Sequence, residues 1–204
     1  MAVSKVHPAE AILEAYAAGH RLFGENRVQE FAAKQPTISG LLDACFHLIG
    51  PLQSNKTARA AELFSSIDTV SSPKIAERLD SAAATLGKTL PVLIEVKLSP
   101  EESKHGIAPE HLSGLLRALE PLSHLEVRGF MTVPPWSEEP ETARPYFQQL
   151  RQLRDGFRKL YPSVTELSMG MSNDFQVAIE EGSTTVRLGT AIFGRRPSPS
   201  IQER

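Results

Sequence analysis

The sequence predicts a single (β/α)8 barrel of the α/β class. Three observations carry this. Short apolar runs alternate with longer helical patterns along the whole chain, the alternation counts to eight, and no linker divides it. Such alternation argues for parallel strands joined by right-handed crossovers. Eight units favour a closed barrel over an open sheet. The 204 residues are fewer than the roughly 250 usual for this fold, yet ample for one core.

The elements follow in order. Strands are predicted over 2–4, 21–23, 45–49, 66–70, 91–96, 125–131, 166–169 and 184–188. The run Pro-Val-Leu-Ile-Glu-Val at 91–96 is the clearest, apolar on both faces as a covered parallel strand requires. Helices are predicted over 8–18, 27–34, 54–63, 73–86, 109–119, 139–160 and 175–181. Pro8, Pro73 and Pro109 each stand at a helix start, where a missing N–H costs nothing, and Gly19 stands just past a helix end. The barrel is expected over 1–196, with a disordered tail over 197–204 that carries Pro197, Pro199 and two serines. No helix precedes the first strand, so the leading helix of the barrel is expected to be missing.

Composition narrows the function classes. Net charge is -2, which gives no global reason to bind nucleic acid or an acidic membrane. No apolar run approaches the length of a membrane helix, and the start has no signal-peptide pattern. The lone Cys45 cannot form a disulfide within the chain, and this cysteine usage fits a reducing compartment. A cytoplasmic protein is the expectation. Cys45 and the scattered histidines have no zinc spacing, and neither a P-loop nor a GxGxxG motif is present.

Barrels of this kind place their sites at strand C-termini, with phosphate commonly at the loops after strands seven and eight. Ser168-Met169-Gly170-Met171-Ser172-Asn173-Asp174 follows the seventh strand and Arg187-Leu188-Gly189-Thr190 the eighth. Gly170 and Gly189 permit close backbone approach. Ser172, at a predicted helix start, reads either as an N-cap or, with Gly189 and Thr190, as part of an anion site. Lys5 ends the first strand and so points into the mouth. A lysine there is either solvated or, with a lowered pKa, able to condense with an aldehyde. Asn26 and His47 line the same mouth in the functional reading. In the plain reading Glu25 and Asn26 are an N-cap pair and His47 a core histidine. Arg187, always charged, is an ion-pair partner or a ligand contact. Lys104 reads as a second mouth amine or as a solvated loop lysine.

Taken together, these segments resemble the pyridoxal phosphate homeostasis protein family, related to the N-terminal barrel of alanine racemase, fold type III. The matching segments include Ala2–Lys5, Gly24–Glu30, His47–Lys56, Glu102–Gly106, Leu167–Ser172 and Val186–Gly194, in family order over 1–196. The resemblance implies that Lys5 holds pyridoxal 5'-phosphate (PLP) as a Schiff base. It implies that Ser172, Gly189 and Thr190, with Met171 beside them, bind the phosphate, and that Arg187 faces the pyridine nitrogen. Asn26 and His47 match positions near the cofactor, and Lys104 a proposed second contact. An arginine opposite that nitrogen leaves the ring a poor electron sink, which discourages carbanion chemistry.

The resemblance implies a non-catalytic carrier that buffers PLP or delivers it to apo-enzymes, as a monomer without the second β domain of a racemase. A racemase-like enzyme is the alternative, and it needs a second base. Tyr16, Tyr146 and Tyr161 all fall on predicted helices or helix ends, away from the mouth. A barrel for some other phosphorylated metabolite, with Lys5 idle, is the third reading. Two departures from the family pattern are the missing leading helix and Lys97, which stands where asparagine is common.

Overall fold

In a computed structural model of the chain, residues 1–99, 101 and 105–194 are described. Eight parallel strands run in sequence order: β1 (Ala2–Val3), β2 (Leu22–Glu25), β3 (Cys45–Leu48), β4 (Ser66–Val70), β5 (Leu90–Glu95), β6 (Leu125–Met131), β7 (Glu166–Met171) and β8 (Thr185–Arg187). A parallel bridge between Ala2 and Leu188 closes the sheet, with Val3 N–H donating to the Leu188 carbonyl at 2.9 Å. Pairings in register, such as Phe23 with Phe46 and Ile67 with Val92, set the side-chain alternation around the barrel.

The helices are α1 (Ala9–Ala17), α2 (Val28–Ile38), α3 (Thr57–Leu63), α4 (Pro73–Thr85), α5 (Leu112–Leu119), α6 (Arg144–Phe157), α7 (Phe175–Glu180) and α8 (Thr190–Phe193). The predicted helices over 54–63, 109–119 and 139–160 each open with a 3-10 turn before the α-helix begins. The last also ends early, at Phe157. The short α8 was not foreseen, since four residues show no periodicity.

Local chemistry explains the ends. Gly19, at φ +100°, lets the His20 amide reach the Ala15 carbonyl and its own amide reach that of Tyr16. This is the pairing of a glycine-terminated helix. Ser72 caps α4 by accepting from the Ile75 amide, and Pro73 fills the first turn. One face of α5 buries Leu112, Leu115, Leu116 and Leu119. At about 1.5–3 kcal/mol each, these leucines anchor the helix to the sheet.

Residues facing outward from the strands form the core with the helices. Phe23, Phe31, Phe46 and Phe64 lie in contact there, with ring centroids 4.6–5.2 Å apart. The barrel interior is different. Instead of layers of branched aliphatics, it holds hydrogen-bonded polar groups. His47 Nδ1 lies 3.1 Å from Asp68 Oδ2, and Ser66 Oγ donates to Asp68 Oδ1 at 2.7 Å. Arg187 donates to Ser168 Oγ at 2.8 Å. No helix among the described residues is long and apolar enough to cross a membrane.

Candidate functional site at the mouth of the barrel

A cavity of about 430 Å³ opens at the C-terminal ends of the strands, a size suited to a small-molecule ligand. Lys5, Asn26, Met171, Ser172, Arg187, Gly189 and Thr190 all line it. Seven expected residues, far apart in sequence, thus meet at one place. Lys5 lies two residues past the end of β1. Strand alternation turns Val3 and Lys5 toward the cavity, and Ser4 outward to the helix layer. Lys5 is the one lysine among the described lining residues.

His47 does not line the cavity. Ile49, two residues further along the strand, does, while His47 sits deeper and pairs with Asp68. That contact is the one the plain reading of an interior histidine expects. The expected capping pair also fails. Glu25 belongs to β2, fully buried, and accepts from Lys34 and Ser4. Arg27 occupies the N-cap position of α2. Ser172 is no helix cap either, because α7 begins only at Phe175. Lys104 lies outside the described residues, as does the expected tail.

The two phosphate-type loops are joined through Ser172. Its Oγ accepts from the amides of Gly189 and Ala191, each at 3.3 Å. Asp174 Oδ1 accepts from the Met171 amide at 2.6 Å and fixes the turn between them. The two glycines there have different causes. Gly170 has φ +94°, and a Cβ on it would lie 2.5 Å from that of Ala178, so backbone conformation and helix packing demand it. Gly189 has φ -101°, and a Cβ would make only ordinary contact with Val3, at 3.7 Å. Neither conformation nor protein packing requires glycine there, which leaves close approach from the cavity side.

Arg187 is 4% exposed. Its hydrogen bonds among the described residues go to Ser168 Oγ and the Thr132 carbonyl, both neutral. Burial pulls its pKa down, while Asp68, Glu95 and Asp174 pull it back up. The guanidinium stays charged at neutral pH. A buried cation bonded only to neutral groups and facing a cavity is a strong pointer to an electron-rich ligand atom.

Sequence reading missed several lining residues. Glu95, a carboxylate closing an otherwise apolar strand, gave a signal, and so did Trp136, the one tryptophan, in a Pro-Pro loop. Trp136 is 70% exposed at the rim. Asn173 ties its loop down by donating to the Ser137 carbonyl at 2.9 Å. His105 lies in the family-matching segment Glu102–Gly106 but was not singled out there.

Fold and site together define an α/β barrel in which a lysine, a buried arginine and two glycine-bearing loops surround one pocket. A sequence profile of the alanine racemase N-terminal domain matches residues 1–197. The pyridoxal phosphate homeostasis protein of Vibrio cholerae is 46% identical over 96% of this chain and 84% of its own length. That of Aquifex aeolicus is 43% identical over 96% and 86%. The structure of PipY from Synechococcus elongatus with PLP bound superposes with a TM-score of 0.90, at 44% identity over 95% of this chain and 91% of that one. The chain belongs to the alanine racemase N-terminal domain family, and within it to the pyridoxal phosphate homeostasis proteins.

Proposed function

We propose that the chain binds PLP at the barrel mouth and serves PLP homeostasis by holding and releasing it. The carrying observation is the convergence of Lys5, Arg187 and the two loops on one cavity. The residues present fit the group. The Ser172 hydroxyl, whose oxygen accepts from the Gly189 and Ala191 amides and whose O–H can donate, suits a phosphate dianion together with the amide and hydroxyl of Thr190. Val3, Ile49, Val133 and Met171 offer apolar walls to a ring, and Arg187 offers donors to its nitrogen. PLP, when bound, supplies an aldehyde on which a lysine amine condenses with loss of water. Lys5 is the amine we assign to it. Asn26 lies beside Lys5 as a further contact. The PLP-bound PipY structure supports the reading.

The protein acts in this proposal as a monomeric, cytoplasmic, non-catalytic carrier that passes PLP to apo-enzymes. The names of its relatives support that role over catalysis. So does the position of the tyrosines, none of which is among the described residues lining the cavity. Tyr16 bonds to Asp43, and Tyr161 to Glu120 at 2.7 Å.

The test is the absorption spectrum with added PLP, for wild type and Lys5→Ala, with borohydride fixation and peptide mass mapping. A visible band in wild type, lost entirely in Lys5→Ala, with the fixed group on Lys5, is the expected result. No band in wild type overturns the assignment.

A further inference from the structure

Lys5 is flanked by residues tied to a buried charge cluster behind β1. Lys34 is 8% exposed on α2, on the same stripe as Val28, Phe31 and Ile38. Its ammonium donates to the Ser4 carbonyl at 3.0 Å, to Glu25 Oε1 at 2.8 Å and to Glu30 Oε1 at 2.9 Å. Ser4 Oγ donates to the same Glu25 oxygen at 2.7 Å. Glu30 Oε1 accepts the Val6 amide at 2.6 Å. The residue before Lys5 is therefore bonded to the ammonium directly, and the residue after it is linked to the same ammonium through Glu30.

The backbone there is strained. Val6 has φ +59° and is the one non-glycine with positive φ among the described residues. A β-branched side chain adopts that region only when its surroundings hold it, and such strain collects at functional sites. The Glu30 bond to the Val6 amide is the hold. A cluster of one cation and two carboxylates is also a poor way to stabilise a helix–sheet contact, since an apolar residue at Lys34 would serve at least as well. Its cost is accounted for if it fixes geometry.

We infer that Glu25, Lys34 and Glu30 form a clamp that directs the Lys5 amine into the cavity and so sets how fast it captures and releases PLP. They are positioning residues, acting through the backbone of Ser4 and Val6. The inference rests on the PLP reading and extends it.

The test uses full-length Lys34→Met, Lys34→Arg, Glu30→Gln and Val6→Gly. Stopped-flow absorbance gives the rate at which the Lys5 band forms with PLP. Calorimetry with pyridoxine 5'-phosphate, an alcohol that cannot condense with an amine, gives the affinity of the pocket alone. Lys34→Met, Glu30→Gln and Val6→Gly should slow band formation by about tenfold or more while pyridoxine 5'-phosphate binding stays within about twofold, because only the amine is misdirected. Lys34→Arg should recover most of the rate. Should Lys34→Met not fold, Glu30→Gln and Val6→Gly decide the matter. Wild-type rates in those variants, or parallel loss of pyridoxine 5'-phosphate binding, overturn the clamp with the PLP reading intact. No band in wild type overturns both.

Discussion

At the mouth of the barrel the charged groups face a cavity, and at its base they face one another. Among the described residues Arg187 hydrogen-bonds to neutral oxygens, and it lines open volume. Arg128, on β6, bonds to Glu126 of the same strand at 2.8 Å and lies 3.9 Å from Glu166 at the start of β7. His47 and Ser66 likewise share Asp68. Both ends are polar, so polarity alone does not mark a site. The difference lies in the hydrogen-bond partners and in what the group faces. At the base they are carboxylates on the same or the adjacent strand. At the mouth Arg187 hydrogen-bonds to neutral groups among the described residues, with Asp68, Glu95 and Asp174 near enough to favour its charge, and it lines the cavity.

This contrast is open to direct attack. The largest difference is expected between two arginines. Arg187→Met should weaken pyridoxine 5'-phosphate binding by about tenfold or more, the loss of a charged donor. Arg128→Met should leave it unchanged. Calorimetry on both variants decides, and equal effects would erase the distinction.

Two glycines give a smaller contrast. A Cβ on Gly50 would lie 2.2 Å from the Asn26 carbonyl oxygen at the mouth. On Gly129 it would lie 2.0 Å from the Glu166 carbonyl oxygen at the base. Gly50→Ala and Gly129→Ala should each cost about 1–3 kcal/mol in urea unfolding, the usual penalty of overpacking. Only Gly50→Ala should also shift the visible spectrum with PLP, because only it displaces a wall of the cavity.

The smallest effect concerns pH. Burial pushes the Glu166 carboxyl above its ordinary value of 4.5, against the pull of Arg128 and His47. Folding then favours the protonated form. That contribution is complete below 4.5 and is lost as pH rises through the raised value. Relative to Glu166→Gln, wild type should therefore lose stability as pH climbs from 4.5, with PLP binding equal in both. Unfolding curves at a series of pH values check the slope, and a rising difference would contradict the assigned direction.

Much of this was legible in the chain. Eight β–α alternations were countable, and β4 and β6 match their predicted bounds residue for residue. Their alternating and flanking chemistry is local, so no distant contact moves their ends. The cavity residues were legible because parallel barrels bring every strand end to one face. His47 lies deeper than the cavity lining, because strand position fixes direction but not depth. The helix after β7 begins at Phe175 as predicted, so the N-cap alternative for Ser172 fails, and its hydroxyl accepts from the amides of a neighbouring loop instead.

The sequence by itself determined the barrel, the meeting of Lys5 with the loops after β7 and β8, and the family. Periodicity and strand order suffice for these, since each is a property of local pattern and topology. Tertiary structure alone decided that Arg187 is a buried cation whose hydrogen bonds among the described residues go to neutral groups, that protein packing leaves room for a Cβ at Gly189, and that Lys34 bonds to Ser4 directly and to Val6 through Glu30. Those depend on distances between side chains 4 to 55 positions apart, and burial and electrostatic pairing act through such distances rather than along the chain.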